Sequence, residues 1–89
     1  MSSIDYSKLK SRITAGKIVR ALKRDGFVFD GGSGAHRQYR HHASRVVTVS
    51  YHHPGGTFNV GILKSMVEHQ AKWTFDDLKR LKLIPKRWL

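Results

Sequence analysis

Three short stretches between residues 27 and 51 have the composition or the two-residue alternation of β-strands, and turn-forming residues separate them. They are Phe27–Phe29, His36–His41 and Val46–Tyr51. The connecting segments, Asp30–Ala35 and Ala43–Arg45, are too short for the crossover that parallel strands require. The sequence therefore predicts a three-stranded antiparallel meander, which limits the chain to a small set of folds.

Segments with helical periodicity lie on both sides of the predicted meander. One helix is predicted to begin after the N-cap residue Thr14 and to end at Gly26, and a second to begin after Asn59. Thr74–Asp77 has the form of a capping box and predicts a short third helix that Pro85 ends. The predicted fold class is α+β: two helices cover one face of the sheet, in the order α-β-β-β-α, with a short extra C-terminal helix.

Alternation along the strands predicts which side chains remain uncovered. Successive strand residues point to opposite faces of a sheet. Phe27 and Phe29 are both expected to face the core. The side chains expected on the open face are His36, Gln38, Arg40, Thr48 and Ser50. A titratable imidazole is thus predicted to lie beside a guanidinium group on a solvent-facing sheet surface.

Composition limits the size and the environment of the protein. Eighty-nine residues suffice for one small domain, and the absence of cysteine excludes disulfide bonds and thiolate zinc sites. We divide the chain into a polar lead (1–13), a folded domain (14–83) and a basic tail (84–89). No apolar run approaches the ~20 residues that cross a bilayer, and there is no signal-peptide pattern. A cytoplasmic protein without a membrane partner is expected.

The charge balance is informative about partners. Seventeen Lys and Arg residues oppose six Asp and Glu residues, which gives a net charge of +11. A nucleic acid is the first candidate, because neutralising its phosphates releases counterions and supplies affinity that is independent of sequence. An acidic protein partner, or a merely basic surface, would explain the same charge. The candidate nucleic-acid-binding residues are Lys17, Arg20, Arg37, Gln38, Arg40 and Lys64.

Histidine is the residue type that most directly suggests chemistry. An imidazole, with a reference pKa near ~6.5, transfers protons at neutral pH, and His36 is the candidate catalytic residue. The adjacent pairs His41–His42 and His52–His53 are poor chelates, because neighbouring strand residues point apart and no cysteine joins them. We expect neither a metal site nor a cofactor.

Three segments of the sequence resemble the HicA toxins, the RNA-cleaving half of the HicA–HicB toxin–antitoxin systems. Residues 14–27, with their Gly-Phe ending, are similar to the opening helix of that family. Residues 34–41 resemble its Gly-Ser-His strand motif, and residues 59–66 resemble the start of its last main helix. All three occur in the family's order, within the predicted domain.

The resemblance implies a fold and a function. The fold of the family is like that of a double-stranded RNA-binding domain, and the strand histidine that the family needs for RNA cleavage corresponds to His36. The implied protein is a type II toxin, a metal-independent endoribonuclease that cleaves single-stranded or ribosome-associated mRNA. A HicB-like antitoxin, expected to be acidic, would cover the His36 face. Two positions depart from the family: Ala35 replaces the usual serine, and Ser50-Tyr51-His52 replaces a Pro-x-His pattern.

Two points stay open at the level of the sequence. Arg40 shares the face of His36 and is preferred over Arg37 for stabilising the charge that develops during cleavage. A non-catalytic module that recognises duplex RNA by shape would use the same basic surface. An HNH-like nuclease is disfavoured, because its metal ligands are missing from the sequence.

Overall fold

The computed structural model describes residues 4–42 and 44–85, and it confirms the α+β class. The helices are α1 (Tyr6–Leu9), α2 (Ala15–Arg24), α3 (Val60–Lys64) and α4 (Phe75–Arg80), and the strands are β1 (Val28–Ser33), β2 (His36–Arg40) and β3 (Val46–Ser50). The end of the predicted basic tail, residues 86–89, lies outside the described residues, as do residues 1–3 and Ala43. No helix in the described part of the chain combines the length and apolar character needed to traverse a bilayer.

The three strands form one antiparallel sheet in the order β1-β2-β3, as predicted. Its hairpin between β1 and β2 is tighter than expected, because β1 runs on to Ser33 and only Gly34-Ala35 remain as the turn. Gly34 takes a positive φ of 59°, which suits the first position of a two-residue hairpin loop. The register is irregular between Phe29 and Gly32, where two more glycines have positive φ.

The N-cap residues predicted from the sequence begin the helices as expected. The Thr14 side chain accepts from Lys17 N, and the Asn59 side chain accepts from Ile62 N. Thr74 and Asp77 form the reciprocal contacts of a capping box at the start of α4. These local interactions satisfy backbone N–H groups that have no partner within their own helix.

The buried side chains form one core between the helices and the inner face of the sheet. Tyr39, Val47 and Val49 supply the sheet's part of this core. The helices supply among others Ile18, Leu22, Leu63, Val67 and Leu78. Residues of the predicted polar lead also belong to it, because Leu9 and Ile13 are fully buried. The Tyr6 hydroxyl donates to Glu68 Oε2 at 2.6 Å, and burial together with this carboxylate raises the pKa of Tyr6.

One of the two predicted inward phenylalanines is in the core and the other is not. Phe27 is 2% exposed, whereas Phe29 is 60% exposed, so the prediction for Phe29 is wrong. Phe29 lies opposite Tyr39 and contacts its ring edge at 5.7 Å between centroids. It stays exposed because β1 is an edge strand, and the helical layer packs mainly on β3.

The second predicted helix is not a uniform α-helix. After α3 the chain continues as a π-helical segment, Ser65–Gln70. There Ala71 N donates to Met66 O, five residues back, at 2.8 Å. The wider turn accompanies a side-chain contact: Gln70 Oε1 accepts from the backbone N–H of Thr48 on the outer edge of β3, at 2.8 Å.

Asp25, at the end of α2, joins three other parts of the fold. Its carboxylate accepts from Trp73 Nε1 at 2.8 Å and Arg80 Nη2 at 2.6 Å, and it lies 3.5 Å from Arg45 Nη1. Burial alone would raise the pKa of Asp25, but the Trp73 and Arg80 hydrogen bonds and the Arg80 and Arg45 charges lower it below its usual value. Its backbone carbonyl also accepts from His41 Nε2 at 3.0 Å.

Candidate functional site

His36 begins β2, directly after the tight turn, and its side chain is exposed. The register places Ser50 directly opposite it on β3, so both side chains lie on the same face. His36 Nδ1 and Ser50 Oγ are 2.6 Å apart and share a hydrogen bond. No described residue is bonded to Nε2, the other ring nitrogen. The imidazole is therefore oriented by a neighbour and presents one nitrogen to solvent.

The backbone around His36 is held on both sides. Tyr51 N donates to Ala35 O at 3.1 Å, which ties the turn to the end of β3. On the other side, Ser33 pairs with His36 across the hairpin. A Cβ on Gly32 would overlap the carbonyl oxygen of His36, so only glycine fits at this crossing. The position of the histidine thus depends on main-chain packing as well as on Ser50.

Gln38 and Arg40 share the exposed face with His36, as alternation predicted. Arg40 Nε donates to Asp30 Oδ2 at 2.7 Å, and both side chains are about half exposed. Such an exposed pair contributes about 0–1 kcal/mol, so a phosphate competes readily for the guanidinium. Arg40 lies on the same face of β2 as His36, four residues further along the strand.

Arg37 lies on the other face of the sheet and is half-buried. Its Nη1 donates to the Tyr51 hydroxyl at 2.7 Å, and its guanidinium carbon lies 4.6 Å from the centre of that ring. Tyr39, two residues along the same face, is 4% exposed, so its ring is not available to stack on a nucleic-acid base. Burial and the neighbouring Tyr51 raise the pKa of Tyr39.

The remaining candidate RNA contacts belong to the helices. Lys17 and Arg20 are exposed on α2, and Lys64 is exposed at the end of α3. Lys17 Nζ donates to Arg12 O at 2.9 Å. The structure therefore groups Gln38 and Arg40 with His36, and it places the helical cations in a different layer of the fold.

Sequence reasoning placed Ser50 on the open face but gave it no role. The sequence feature that could have paired Ser50 with His36 is the number of residues between β2 and β3. Five sequence positions separate Arg40, the last residue of β2, from Val46, the first of β3, and the pairing of these strands puts His36 opposite Ser50. Position 35, directly before the histidine, is alanine and carries no hydroxyl. Ser50 supplies a hydroxyl next to the imidazole.

His41, another histidine of the sheet region, has a structural environment. His41 is 8% exposed, stacks on His42 with 4.1 Å between ring centroids, and contacts the Phe27 ring at 5.0 Å. Within residues 4–42 and 44–85 no three His, Asp or Glu side chains are grouped as metal ligands would be.

Fold and site together define a class of protein: a small basic domain with the α-β-β-β-α layout of double-stranded RNA-binding domains, which exposes a histidine on its open sheet face. Residues 15–73 match the family described as the HicA toxin of bacterial toxin–antitoxin systems. The match spans more than half of the chain, and the protein belongs to this family. A search of curated proteins found no match.

Proposed function

We propose that this toxin is a metal-independent endoribonuclease that cleaves mRNA, with His36 as the proton-transfer residue. A ribose 2′-oxygen attacks the adjacent phosphorus and gives its proton to the imidazole. The bond from phosphorus to the 5′-oxygen breaks, and that oxygen takes up a proton. The products are a 2′,3′-cyclic phosphate and a 5′-hydroxyl, so no redox partner or cofactor is required.

The observation that carries this proposal is the His36–Ser50 hydrogen bond on an exposed sheet face. The His36 Nδ1 and Ser50 Oγ atoms are 2.6 Å apart, and in the tautomer whose Nδ1–H donates to Ser50 the lone pair is on Nε2, the nitrogen that can act as the base. A base positioned in this way is worth about 10²–10⁴-fold in rate. A single such group suits a slow enzyme, which is sufficient for a toxin that needs only to stop translation.

Arg40 supplies positive charge on the same face. Its contact with Asp30 is exposed and exchanges for an RNA phosphate at little cost. Gln38, between the two, offers an amide to the ribose or base of a bound strand. The net charge of +11 attracts the RNA, and long-range attraction of this kind raises association rates at low salt.

The exposed face of the sheet is also where we expect an antitoxin to bind and inhibit this toxin. An antitoxin that covers the exposed face of the sheet blocks His36, Gln38 and Arg40 together. A HicB-like partner with an acidic surface would be attracted by the charge that attracts RNA, with fast association. We accordingly place this protein in the cytoplasm, where mRNA and such a partner are found.

The test is His36→Ala, with His69→Ala as the matched control. His69 is an exposed helical histidine, so it loses the same side chain without touching the open face. Purified mRNA is incubated with each protein in EDTA, and 5′ ends are mapped. We expect His36→Ala to lose cleavage by about 10²-fold or more and to lose growth arrest. Undiminished cleavage by His36→Ala with an intact fold refutes the role of this histidine.

A second candidate function is a non-catalytic RNA-binding module. The double-stranded RNA-binding layout and the basic surface favour it, since such domains recognise duplexes by shape. The same incubation separates the two functions. A nuclease yields discrete fragments, whereas a binding module yields only a complex of reduced mobility.

A further inference from the structure

A basic cleft separates α2 from the turn that follows α4. It consists of two adjoining recesses of about 160 and 170 Å³, which share Lys17, Lys82 and Leu83 in their walls. Arg20 and Arg24 line the first recess, and Arg12 lines the second. Among the described residues that line this α2–α4 cleft, none is acidic.

Hydrogen bonds to the backbone give the cleft its shape. Arg24 Nη1 donates to Leu81 O at 3.1 Å and ties the turn to α2. The turn itself is closed by Leu83 N, which donates to Leu78 O at 2.9 Å, in the manner of a helix C-cap. Within the described chain, Lys17, Arg20, Arg24 and Lys82 form no ion pair with a carboxylate. Their charges are therefore concentrated and not neutralised by the fold.

Lys82 adopts a backbone conformation that usually selects glycine. Its φ is +62°, at the position after α4 where a left-handed residue ends the helix. A lysine there carries backbone strain that glycine would not, and it brings a cation to both recesses.

We propose that the α2–α4 cleft binds backbone phosphates of RNA at a second site, separate from His36. The inference rests on RNA as the ligand of the proposed function, and it adds an anchoring point on the helical layer. The molecule is 19 Å across its shortest axis, so an mRNA threaded over the sheet face is long enough to reach the helices as well.

The chemistry of the cleft favours RNA over an acidic protein. A protein interface needs an apolar centre from which water is excluded. Here Leu81 and Leu83 are buried in the core, and what the cleft presents is cationic. Guanidinium and ammonium groups without an apolar anchor match a phosphodiester chain, which binds through charge and counterion release.

The experiment compares Lys82→Gly with Lys72→Gly in full-length protein carrying His36→Ala, which keeps the RNA intact. Lys72 is also exposed and has a φ of +59°, but it lies before α4, in a groove that contains Glu68 and Asp76. Both variants remove one positive charge and relieve one strained backbone. Binding of a single-stranded RNA of mixed sequence is followed by fluorescence anisotropy over a range of salt concentrations.

We expect Lys82→Gly to weaken binding on the order of tenfold at low salt, the size of one charged hydrogen bond. The slope of log K against log salt should fall by about 0.7, the value for one phosphate contact on a single strand. Lys72→Gly should leave the slope unchanged. Both proteins should keep or raise their melting temperature, because glycine suits the conformation.

Equal losses from the two glycine variants, or no RNA binding at all, overturn the proposal. Polyglutamate and a second RNA are also compared as competitors for the bound RNA. If polyglutamate displaces the RNA at the lower concentration, the cleft is assigned to an acidic protein and the proposal is overturned. The nuclease function is refuted if the protein with His36 intact cleaves no RNA. If the two glycine variants still differ in RNA binding in that case, the cleft remains assigned to RNA.

Discussion

Replacing Asp25 with alanine tests whether one buried carboxylate holds the end of the fold opposite the His36 turn. The Asp25 side chain is 9% exposed and accepts from Trp73 Nε1 and Arg80 Nη2, with Arg45 nearby. Trp73 is 3% exposed, so its N–H lies in a buried position and loses its acceptor when the carboxylate is removed. The substitution therefore leaves a buried donor unsatisfied.

The cost can be worked out from these contacts. An unsatisfied buried donor costs about 1–3 kcal/mol. Arg80 is about half exposed, so its ion pair adds about 0–1 kcal/mol after solvent screening. Arg45 retains its hydrogen bond to Ala71 O at 2.7 Å and adds little. The sum is about 1–4 kcal/mol, against a total stability of about 4–13 kcal/mol for a chain of this length.

Thermal unfolding followed by circular dichroism measures this cost at pH 7. A loss of about 1–4 kcal/mol corresponds to a fall in melting temperature of about 5–20 °C. Asp30→Ala is the matched control, because it removes the same side chain from the exposed pair with Arg40. The control should shift the melting temperature by a few degrees at most.

The difference between wild type and Asp25→Ala should also depend on pH. The native contacts lower the pKa of Asp25, so its stabilising contribution is complete above the unfolded pKa of about 3.9. The contribution is lost as the pH falls through the lower native pKa, and the two melting temperatures should converge there. An Asp25→Ala shift no larger than that of Asp30→Ala, or one that is constant down to strongly acidic pH, refutes this reasoning.

Two further predictions concern the surroundings of His36. Ser50→Ala should lower the cleavage rate by about 3–10-fold without lowering the melting temperature, because one neutral hydrogen bond orients the ring, and Ser50→Thr should restore the rate and the pH profile. Equal rates for wild type and Ser50→Ala would show that the hydroxyl does not position the imidazole. Gly32→Ala should destabilise the protein by about 2 kcal/mol or more in urea unfolding, because its φ is +139° and a Cβ would overlap His36 O. Gly31→Ala, with a φ of +91° and open space around its Cβ, should cost only the backbone strain, about 1 kcal/mol, so similar losses for both would contradict the steric argument.

The order of the elements could be predicted because it is encoded locally. Thr14, Asn59 and Thr74 cap the helices that they were expected to cap, since a capping side chain acts on a backbone group only two or three residues away. The strand alternation likewise separated Gln38 and Arg40 from Arg37 correctly.

The features that sequence reasoning missed are set by tertiary packing. The exposure of Phe29 depends on where the helices pack against the sheet, and a two-residue alternation does not show this. The few apolar residues before Thr14 did not show that Leu9 and Ile13 enter the core. The π-helical segment Ser65–Gln70 has the same apolar spacing as an α-helix over so short a stretch.

Parts of the candidate site were within reach of the sequence and others were not. His36 stands out because a histidine follows a glycine-rich turn at the start of an alternating strand. Its partner Ser50 follows only from the register of β2 and β3. The α2–α4 cleft brings together residues from 12 to 85, so no local pattern could have revealed it.

The two edges of the sheet differ in how they are covered. At the β3 edge, the Gln70 amide bonds the strand and the π-helical segment packs against it. The edge that is open to a further strand is β1, where Val28 and Phe29 are more than half exposed. If two copies paired through β1, they would form one six-stranded sheet with β3 at both outer edges, each covered by Gln70 and the π-helical segment. Self-association by this route therefore ends at a pair and cannot propagate into a fibre.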